Sequence, residues 1–362
     1  MTLADILAAV ATLGDAIGEG LVALALGFAA LPTGIGFLIG AVLVFALGSV
    51  IPVSFEVESL TVISRLGERD WKRMARMVLL AGILGAAFGL LGVYSHIVSF
   101  IEGPILSGMM TGVGVILSFV ALDTFKGNKV VGGVSIAAAL LAFFGLAGNE
   151  NALIYALFIS VLAGVVASRF VPFEVIETST EREKIRLMPF DGFAWLKDIR
   201  IIRGALALLA LRVGTSIAYS GIDGQMAGVS VNVDHTNIIA GLAGVGSALF
   251  GGAPVEPIIS GTAAAPTPAI SGVIMMVLMG GILLLGLLPR LAKVIPMASI
   301  AGFLFLLGAC LAIPDNISGV VSDTDPYSGP VTVVVTAATF DPFLGMVCGI
   351  LTRFVTMTLL GV

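Results

Sequence analysis

Six acidic residues lie within apolar stretches of this sequence, where a charged side chain is costly. They are Asp15, Glu19, Glu56, Glu58, Asp223 and Glu256. In a membrane helix such residues usually face a cavity or a partner, and they are functional candidates for that reason. Carboxylates that are shielded from water can hold a proton or a metal cation. We therefore predict coupling-ion roles for Asp15, Glu19, Glu56, Asp223 and Glu256.

Asp15 and Glu19 are four residues apart, so a helix would place both on one face. The alternative is that this segment is interfacial and that water solvates the two acids. For Glu56, Asp223 and Glu256 the alternative is a simpler role, which is to pair with a backbone group or with Arg212. His96 and His235 stand alone, and no metal-ligand cluster or catalytic motif is present. The sequence therefore predicts neither an enzyme nor a bound cofactor.

The element that must position these acids is the stretch 251–272, GGAPVEPIISGTAAAPTPAISG. Its prolines and glycines prevent one continuous helix, yet strongly apolar runs flank it. Non-helical backbone is tolerated at membrane depth only inside protein or beside a water-filled cavity, because lipid offers no hydrogen-bond partner. We therefore predict a buried, broken membrane segment that lines a binding site.

A similar stretch, SVIPVSFEVESLTVI, occupies residues 49–63. Residues 101–117 and 295–311 form a second pair, in which Gly108 matches Gly302 and Gly114 matches Gly308. Both pairs are separated by roughly 200 residues, which is typical of a transporter built from repeats. The division predicted is a first repeat over 1–168, a polar connecting loop over 169–203 and a second repeat over 204–362. Chance recurrence of Gly and Pro is the alternative.

The composition indicates a polytopic membrane protein. Hydrophobic residues make up 58% of the 362 residues, charged residues 11%, and the mean hydropathy is +1.12. Soluble domains have about a quarter charged residues. No basic cluster suggests nucleic-acid binding, and we expect a multi-pass protein of the cell membrane.

Four runs resemble the nucleobase:cation symporter family of the uracil/xanthine permease type. They are residues 28–64, 241–254 (GLAGVGSALFGGAP), 287–308 (LLPRLAKVIPMASIAGFLFLLG) and 335–351 (VTAATFDPFLGMVCGIL). This family shares a superfamily with the SulP sulfate permeases. The resemblance implies an all-α fold of two inverted seven-segment repeats, about fourteen segments in all, divided into core and gate domains. It also implies half-helices preceded by short strands in the third and tenth segments, and a homodimer.

By this resemblance the substrate binds between the third and tenth segments and faces the first and eighth. The implied substrate-binding residues are Ser54, Phe55, Tyr219, Asp223, Gln225, Glu256, Ser260 and Thr262. A planar base would stack on Phe55 or Tyr219 while the polar groups read its edge. The sequence departs from the family in that Asp223 directly precedes Gly224 and Glu256 comes early in the tenth segment.

The leading hypothesis is uptake of a nucleobase-like molecule in symport with H⁺ or Na⁺, by alternating access around a midplane site. An inorganic anion or carboxylate carrier of the SulP kind is the alternative, since helix N-termini suit anions. Against it stand the acidic site candidates and the absence of a cytoplasmic domain after Val362. An uncoupled facilitator or channel is a third possibility.

The positions of the basic loops predict the orientation of the protein in the membrane. Arg65–Arg76, Lys126–Lys129, Arg169–Arg203 and Arg290–Lys293 should face the cytoplasm, which places the N-terminus outside. The resembling family would keep both termini inside.

Overall fold

The computed structural model describes residues 1–173, 187–188, 194–291 and 293–360. Much of the predicted connecting loop, 169–203, therefore lies outside the described residues. The longer helices are α1 (Leu3–Ala25), α2 (Ala30–Leu47), α3 (Val57–Leu66), α4 (Trp71–Leu90), α5 (Val93–Phe100), α6 (Gly103–Gly127), α7 (Lys129–Gly145), α8 (Ala152–Ala167), α9 (Ile199–Ala227), α10 (Val233–Ala248) and α11 (Pro268–Leu284). They are followed by α12 (Leu288–Leu291), α13 (Ala301–Phe305), α14 (Ile313–Asn316), α15 (Ser328–Thr339) and α16 (Pro342–Leu360).

Among the described residues, seven helical runs are long and apolar enough to cross a membrane. They are α1, α2, α4, α6, α9, the run Met297–Gly319 and α16. Four shorter apolar helices, α7, α8, α11 and α15, accompany them. The chain is thus a multi-pass, mostly helical membrane protein. The predicted count of fourteen segments and the inverted repeat stay predictions.

The helices pack as two bundles. The first contains α1 to α4, α10, α11 and the N-terminal part of α9, around a core that includes Phe37, Met77, Ala243 and Met276. The second contains α6, α7, α8, the run Met297–Gly319, α15 and α16. Helix α9 is shared, because its C-terminal part packs into the core of the second bundle. Contacts of α1 with α8 and of α9 with α16 join the two bundles.

Two short strands pair within the first bundle, in contact with α2, α9 and α10. Strand β1 (Val53–Ser54) pairs antiparallel with β2 (Glu256–Pro257), so that Ser54 lies opposite Glu256 and Val53 opposite Pro257. Both strands are fully buried. The stretches 49–63 and 251–272, which resemble each other in sequence, are therefore paired directly in the structure.

Buried hydroxyl groups satisfy the backbone of the broken stretch. The Ala253 N–H donates to Thr33 Oγ1 at 2.8 Å, and Ser247 Oγ donates to the Ala253 carbonyl at 2.6 Å. The Ile258 N–H reaches the Pro52 carbonyl at 3.4 Å. These bonds replace helical ones at a depth where lipid supplies none. The prediction of a buried, broken segment is confirmed by this geometry.

The second half-helix differs from the expectation. After β1 the chain forms α3, a ten-residue α-helix, but after β2 it forms only a four-residue 3₁₀ turn, Gly261–Ala264. Pro266 and Pro268 follow closely, and proline both lacks an N–H and restricts the preceding residue. An α-helix can restart only at Pro268, where proline is accepted in the first turn of α11.

The second bundle uses glycine for close contact. A Cβ atom on Gly308 would stand 2.6 Å from the carbonyl oxygen of Gly114. The run Met297–Gly319 therefore approaches α6 backbone to backbone, as small residues allow in membrane helices. The two glycines that the repeat comparison matched thus face each other.

Candidate functional site

A cavity of about 240 Å³ lies between the two bundles. Asp15 and Glu19 of α1 line it together with Glu56 and Glu58 at the start of α3. The remaining wall is largely apolar and comes from α6, α9 and the run Met297–Gly319. Among the described residues, no Lys, Arg or His lines this cavity. We call the four acids the carboxylate cluster.

The acids of α1 are positioned from the start of their helix. Asp5 forms a capping box with Thr2, in which the Thr2 N–H donates to Asp5 Oδ2 at 2.6 Å. Asp5 Oδ1 also accepts from the Thr267 N–H at 2.8 Å, just before α11. Helix α1 is thereby tied to the end of the broken stretch. Its helical spacing places Asp15 and Glu19 on the cavity side, as predicted from their four-residue separation.

Glu56 lies at the transition from β1 to α3. Its side chain accepts hydrogen bonds from Ser59 Oγ and, at 3.3 Å, from the Tyr219 hydroxyl of α9. Glu56 is only 4% exposed. The Tyr219 ring lines the cavity as well, so an aromatic face and carboxylates lie side by side.

The cavity extends to the turn between α15 and α16. Phe340 and Pro342 line the cavity on either side of Asp341. Asp341 accepts from the N–H groups of Phe343 and Leu344 at 2.9 and 3.3 Å and so begins α16. Burial raises the pKa of Asp341, while the two backbone hydrogen bonds lower it.

Asp223 holds the broken stretch. Its Oδ1 accepts from the Ser260 N–H at 3.1 Å, while Oδ2 is buried without a hydrogen-bond partner among the described residues. Ser260 Oγ lies 2.7 Å from Thr262 Oγ1 and 3.3 Å from Thr12 Oγ1 of α1. Three hydroxyls and one carboxylate thus meet beside the 3₁₀ turn. Asp223, Ser260 and Thr262 do not line the carboxylate-bearing cavity.

Glu256 is engaged by Arg212 of α9. Arg212 donates from Nε to Oε2 at 2.6 Å and from Nη2 to Oε1 at 2.5 Å, and both side chains are fully buried. Arg212 Nη1 also donates to the Ala81 carbonyl of α4 at 3.3 Å. Glu256 therefore pairs with Arg212, which is the simpler role that the sequence allowed for it.

The other predicted residues are dispersed. Ser54 lies in β1, and its Oγ is buried without a partner among the described residues. Phe55 is 1% exposed and packs against Phe37, with ring centroids 5.2 Å apart, rather than lining the cavity. Gln225 lies near the end of α9 and exchanges two hydrogen bonds with Asn316. The cavity thus brings together Asp15, Glu19, Glu56 and Tyr219.

Sequence reasoning missed two participants. Glu58 was noticed as an acid but given no role, although it lines the cavity; its position two residues after Glu56 was the available signal. Asn316, the partner of Gln225, carried no signal because the two residues are distant in sequence.

Comparisons with known proteins show the fold. No protein-family model and no curated protein sequence matches the chain. The transmembrane domain of the cyanobacterium bicarbonate transporter BicA matches with a TM-score of 0.51 and 18% identity, over 94% of this chain and 97% of that domain. A structure of SLC26A9 matches with a TM-score of 0.58 and 12% identity, over 98% of this chain and 65% of that one.

A third match is the murine Slc26a9 anion transporter in the inward-facing state. Its TM-score is 0.58 at 12% identity, over 100% of this chain and 68% of that one. The chain therefore spans about two thirds of the length of the SLC26A9 chains. It shares the fold of these three proteins, and the comparisons do not support the predicted nucleobase:cation symporter family.

Proposed function

We propose that this protein is a secondary transporter of a small anion, either an inorganic oxyanion or a carboxylate. The observation that carries the proposal is a small cavity between two helical bundles, beside paired broken segments, in a fold shared with anion transporters. The earlier preference for a nucleobase gives way to the anion alternative because these neighbours move anions.

The size of the cavity supports a small substrate. Its 240 Å³ equals the volume of roughly eight water molecules at about 30 Å³ each. A small oxyanion with part of its hydration shell fits this volume. The two bundles touch mainly through α1 with α8 and α9 with α16, so movement of one bundle against the other would expose the cavity at either end.

Electrostatics impose a condition on anion binding. One negative charge about 5 Å from another costs about 3 kcal/mol at an effective dielectric constant of about 20. Four ionised carboxylates would therefore exclude an anion from the cavity. Uptake needs a cation to enter with the anion, and H⁺ or Na⁺ would drive the transport.

A nucleobase is the second candidate substrate. Tyr219 and Glu56 adjoin in the cavity, with the hydroxyl 3.3 Å from Glu56 Oε1. An aromatic face beside a carboxylate would suit a planar ring with N–H donors. This arrangement keeps uracil and xanthine among the compounds to be tested.

The experiment is uptake by purified protein in liposomes. Labelled sulfate, bicarbonate, a dicarboxylate, uracil and xanthine are compared under an inward cation gradient. Leu117→Phe narrows the cavity from α6, and the matched control Leu122→Phe changes an exposed side chain of the same helix. We expect saturable anion uptake that falls at least several-fold in Leu117→Phe and is retained in Leu122→Phe.

Uptake of uracil or xanthine alone would replace the anion by the second candidate. Absence of uptake of all five compounds by folded protein would overturn the proposed function.

A further inference from the structure

We propose that Asp15, Glu19, Glu56 and Glu58 form a binding site for one monovalent cation, H⁺ or Na⁺, that loads together with the transported anion. The inference rests on the proposed function, which it deepens by assigning the coupling cation to α1 and α3. It thereby sets aside Asp223 and Glu256 as the cation ligands.

The four carboxylates face one cavity from two helices. Asp15 and Glu19 come from consecutive turns of α1, while Glu56 and Glu58 flank the first residue of α3. Each acts electrostatically on others of the set: Glu19 interacts with Asp15, Glu56 and Glu58. The cluster is therefore one electrostatic unit.

Free acceptors in this cluster point to a ligand. Asp15 is 8% exposed, lines the cavity, and forms no side-chain hydrogen bond or ion pair with the described residues. Glu19 Oε2 is buried and likewise has no hydrogen-bond partner there. A buried carboxylate oxygen without a partner forgoes the stabilisation that a hydrogen bond or cation would supply. The carboxylates of Asp15 and Glu19, which lack such partners, therefore make the α1 side of the cavity a cation acceptor.

The groups packed around the cluster do not supply that cation. Tyr219 of α9 donates its hydroxyl to Glu56, but a phenol carries no positive charge. Arg212 acts electrostatically on Glu56, yet both of its forked hydrogen bonds go to Glu256. Glu256 adds a further acid nearby, since it acts electrostatically on Glu56. Among the described groups named here, the one positive charge, that of Arg212, is thus already paired with Glu256.

The spacing of the carboxylates selects the class of cation. No three His, Cys, Asp or Glu side chains among the described residues converge as metal ligands. A divalent metal with several carboxylate ligands at about 2–2.6 Å needs such convergence. A proton needs one carboxylate, and Na⁺ can complete its shell with water in a 240 Å³ cavity. The cluster therefore suits a monovalent cation.

The first test measures cation binding without any transported anion. Purified protein in detergent is titrated with NaCl, using choline chloride to hold the ionic strength and chloride constant, at mildly acidic and mildly alkaline pH. Asp15→Asn, a nearly isosteric change, and Glu58→Gln, at a half-buried position, are compared with Asp123→Asn at the exposed end of α6. Size-exclusion profiles verify folding of each variant.

A bound cation stabilises the folded protein by mass action. We expect Na⁺ to raise the thermal midpoint by about 2 °C or more in the wild type and Asp123→Asn, and much less in Asp15→Asn and Glu58→Gln. A response to pH but not to Na⁺, reduced in the same two variants, would identify H⁺ as the cation. Equal responses in all four proteins would overturn the cation site.

The second test separates this inference from the proposed function. Liposomes measure anion uptake with and without an inward Na⁺ or H⁺ gradient. Anion uptake that no gradient accelerates would leave the function in place and refute the cation site. Cation binding in detergent that depends on Asp15, without transport of any anion, would support the cation site and refute the proposed function.

Discussion

Arg212 donates two hydrogen bonds, of 2.6 and 2.5 Å, to Glu256, and neither side chain is exposed. Glu256 also lies opposite Ser54 in the strand pair. The ion pair therefore attaches the paired strands of the two broken segments to the middle of α9. Because both Glu256 oxygens are occupied, binding a substrate there would require Arg212 to release one of them.

Removal of the Glu256 charge should destabilise the fold. Glu256→Gln leaves the Arg212 guanidinium buried without its counter-ion, which typically costs about 3–5 kcal/mol. We expect a large fall in the midpoint of thermal or detergent-induced unfolding. The matched control is Glu68→Gln, since Glu68 pairs with Arg73 and Arg200 at the exposed surface, where such pairs contribute about 0–1 kcal/mol.

The double variant Arg212→Met/Glu256→Leu tests the interpretation. It removes both charges, so we expect it to recover much of the stability lost in Glu256→Gln. A Glu256→Gln protein of unchanged stability that no longer binds substrate would instead support the sequence-based prediction of Glu256 as a substrate ligand.

Asp223 should act as a support for the broken stretch. Asp223→Asn retains an acceptor for the Ser260 N–H, now 3.1 Å from Oδ1, whereas Asp223→Ala leaves that buried donor unsatisfied. We expect Asp223→Ala to lose about 1–3 kcal/mol of unfolding free energy and Asp223→Asn to lose less. Unfolding in detergent measures the difference. Equal destabilisation by both variants would show that the charge, rather than the hydrogen bond, matters.

The sequence predicted local features better than long-range ones. The spacing of Asp15 and Glu19 was sufficient to place both on one face, and the prolines of 251–272 were sufficient to predict a break. The pairing of Arg212 with Glu256 was only one of several options, because the sequence does not show which buried charges meet across 44 residues. The family resemblance implied a second half-helix, but the proline spacing after Ala264 permits only a 3₁₀ turn. The proposed substrate class also depends on the fold comparison, since acids in a cavity fit either a base or an anion loaded with a cation.

Gln225 and Asn316 should hold the end of the protein opposite the basic loops closed. Gln225 Nε2 donates to Asn316 Oδ1 at 2.9 Å, and Asn316 Nδ2 donates to Gln225 Oε1 at 3.1 Å. This pair connects α9 to α14, beside a surface cavity of about 380 Å³ at the C-terminal end of α9. Opening at this end requires the two amides to separate.

We therefore expect a cross-link between the two positions to stop transport. In a background with Cys310→Ser and Cys348→Ser, Gln225→Cys/Asn316→Cys is treated with a short bis-reactive reagent, and uptake is measured in liposomes. Each single cysteine variant, treated in the same way, serves as the control. Full uptake by the cross-linked protein would show that the two helices do not separate during the cycle.

The basic loops should face the cytoplasm. Glu68, between α3 and α4, pairs with Arg200 near the start of α9 at 2.8 Å, and Asn128, between α6 and α7, donates to the Pro172 carbonyl at 3.2 Å. These contacts bring the connections that carry Arg and Lys to one end of the protein, and such loops usually remain in the cytoplasm.

We expect a membrane-impermeant maleimide to label Asp323→Cys in intact cells, because the acidic loop before α15 lies at the other end. Lys126→Cys should react only after the cells are opened. Both variants are made in the background lacking Cys310 and Cys348, and the unaltered background is the labelling control. The reverse pattern would place the basic loops outside, as the topology of the resembling family implies.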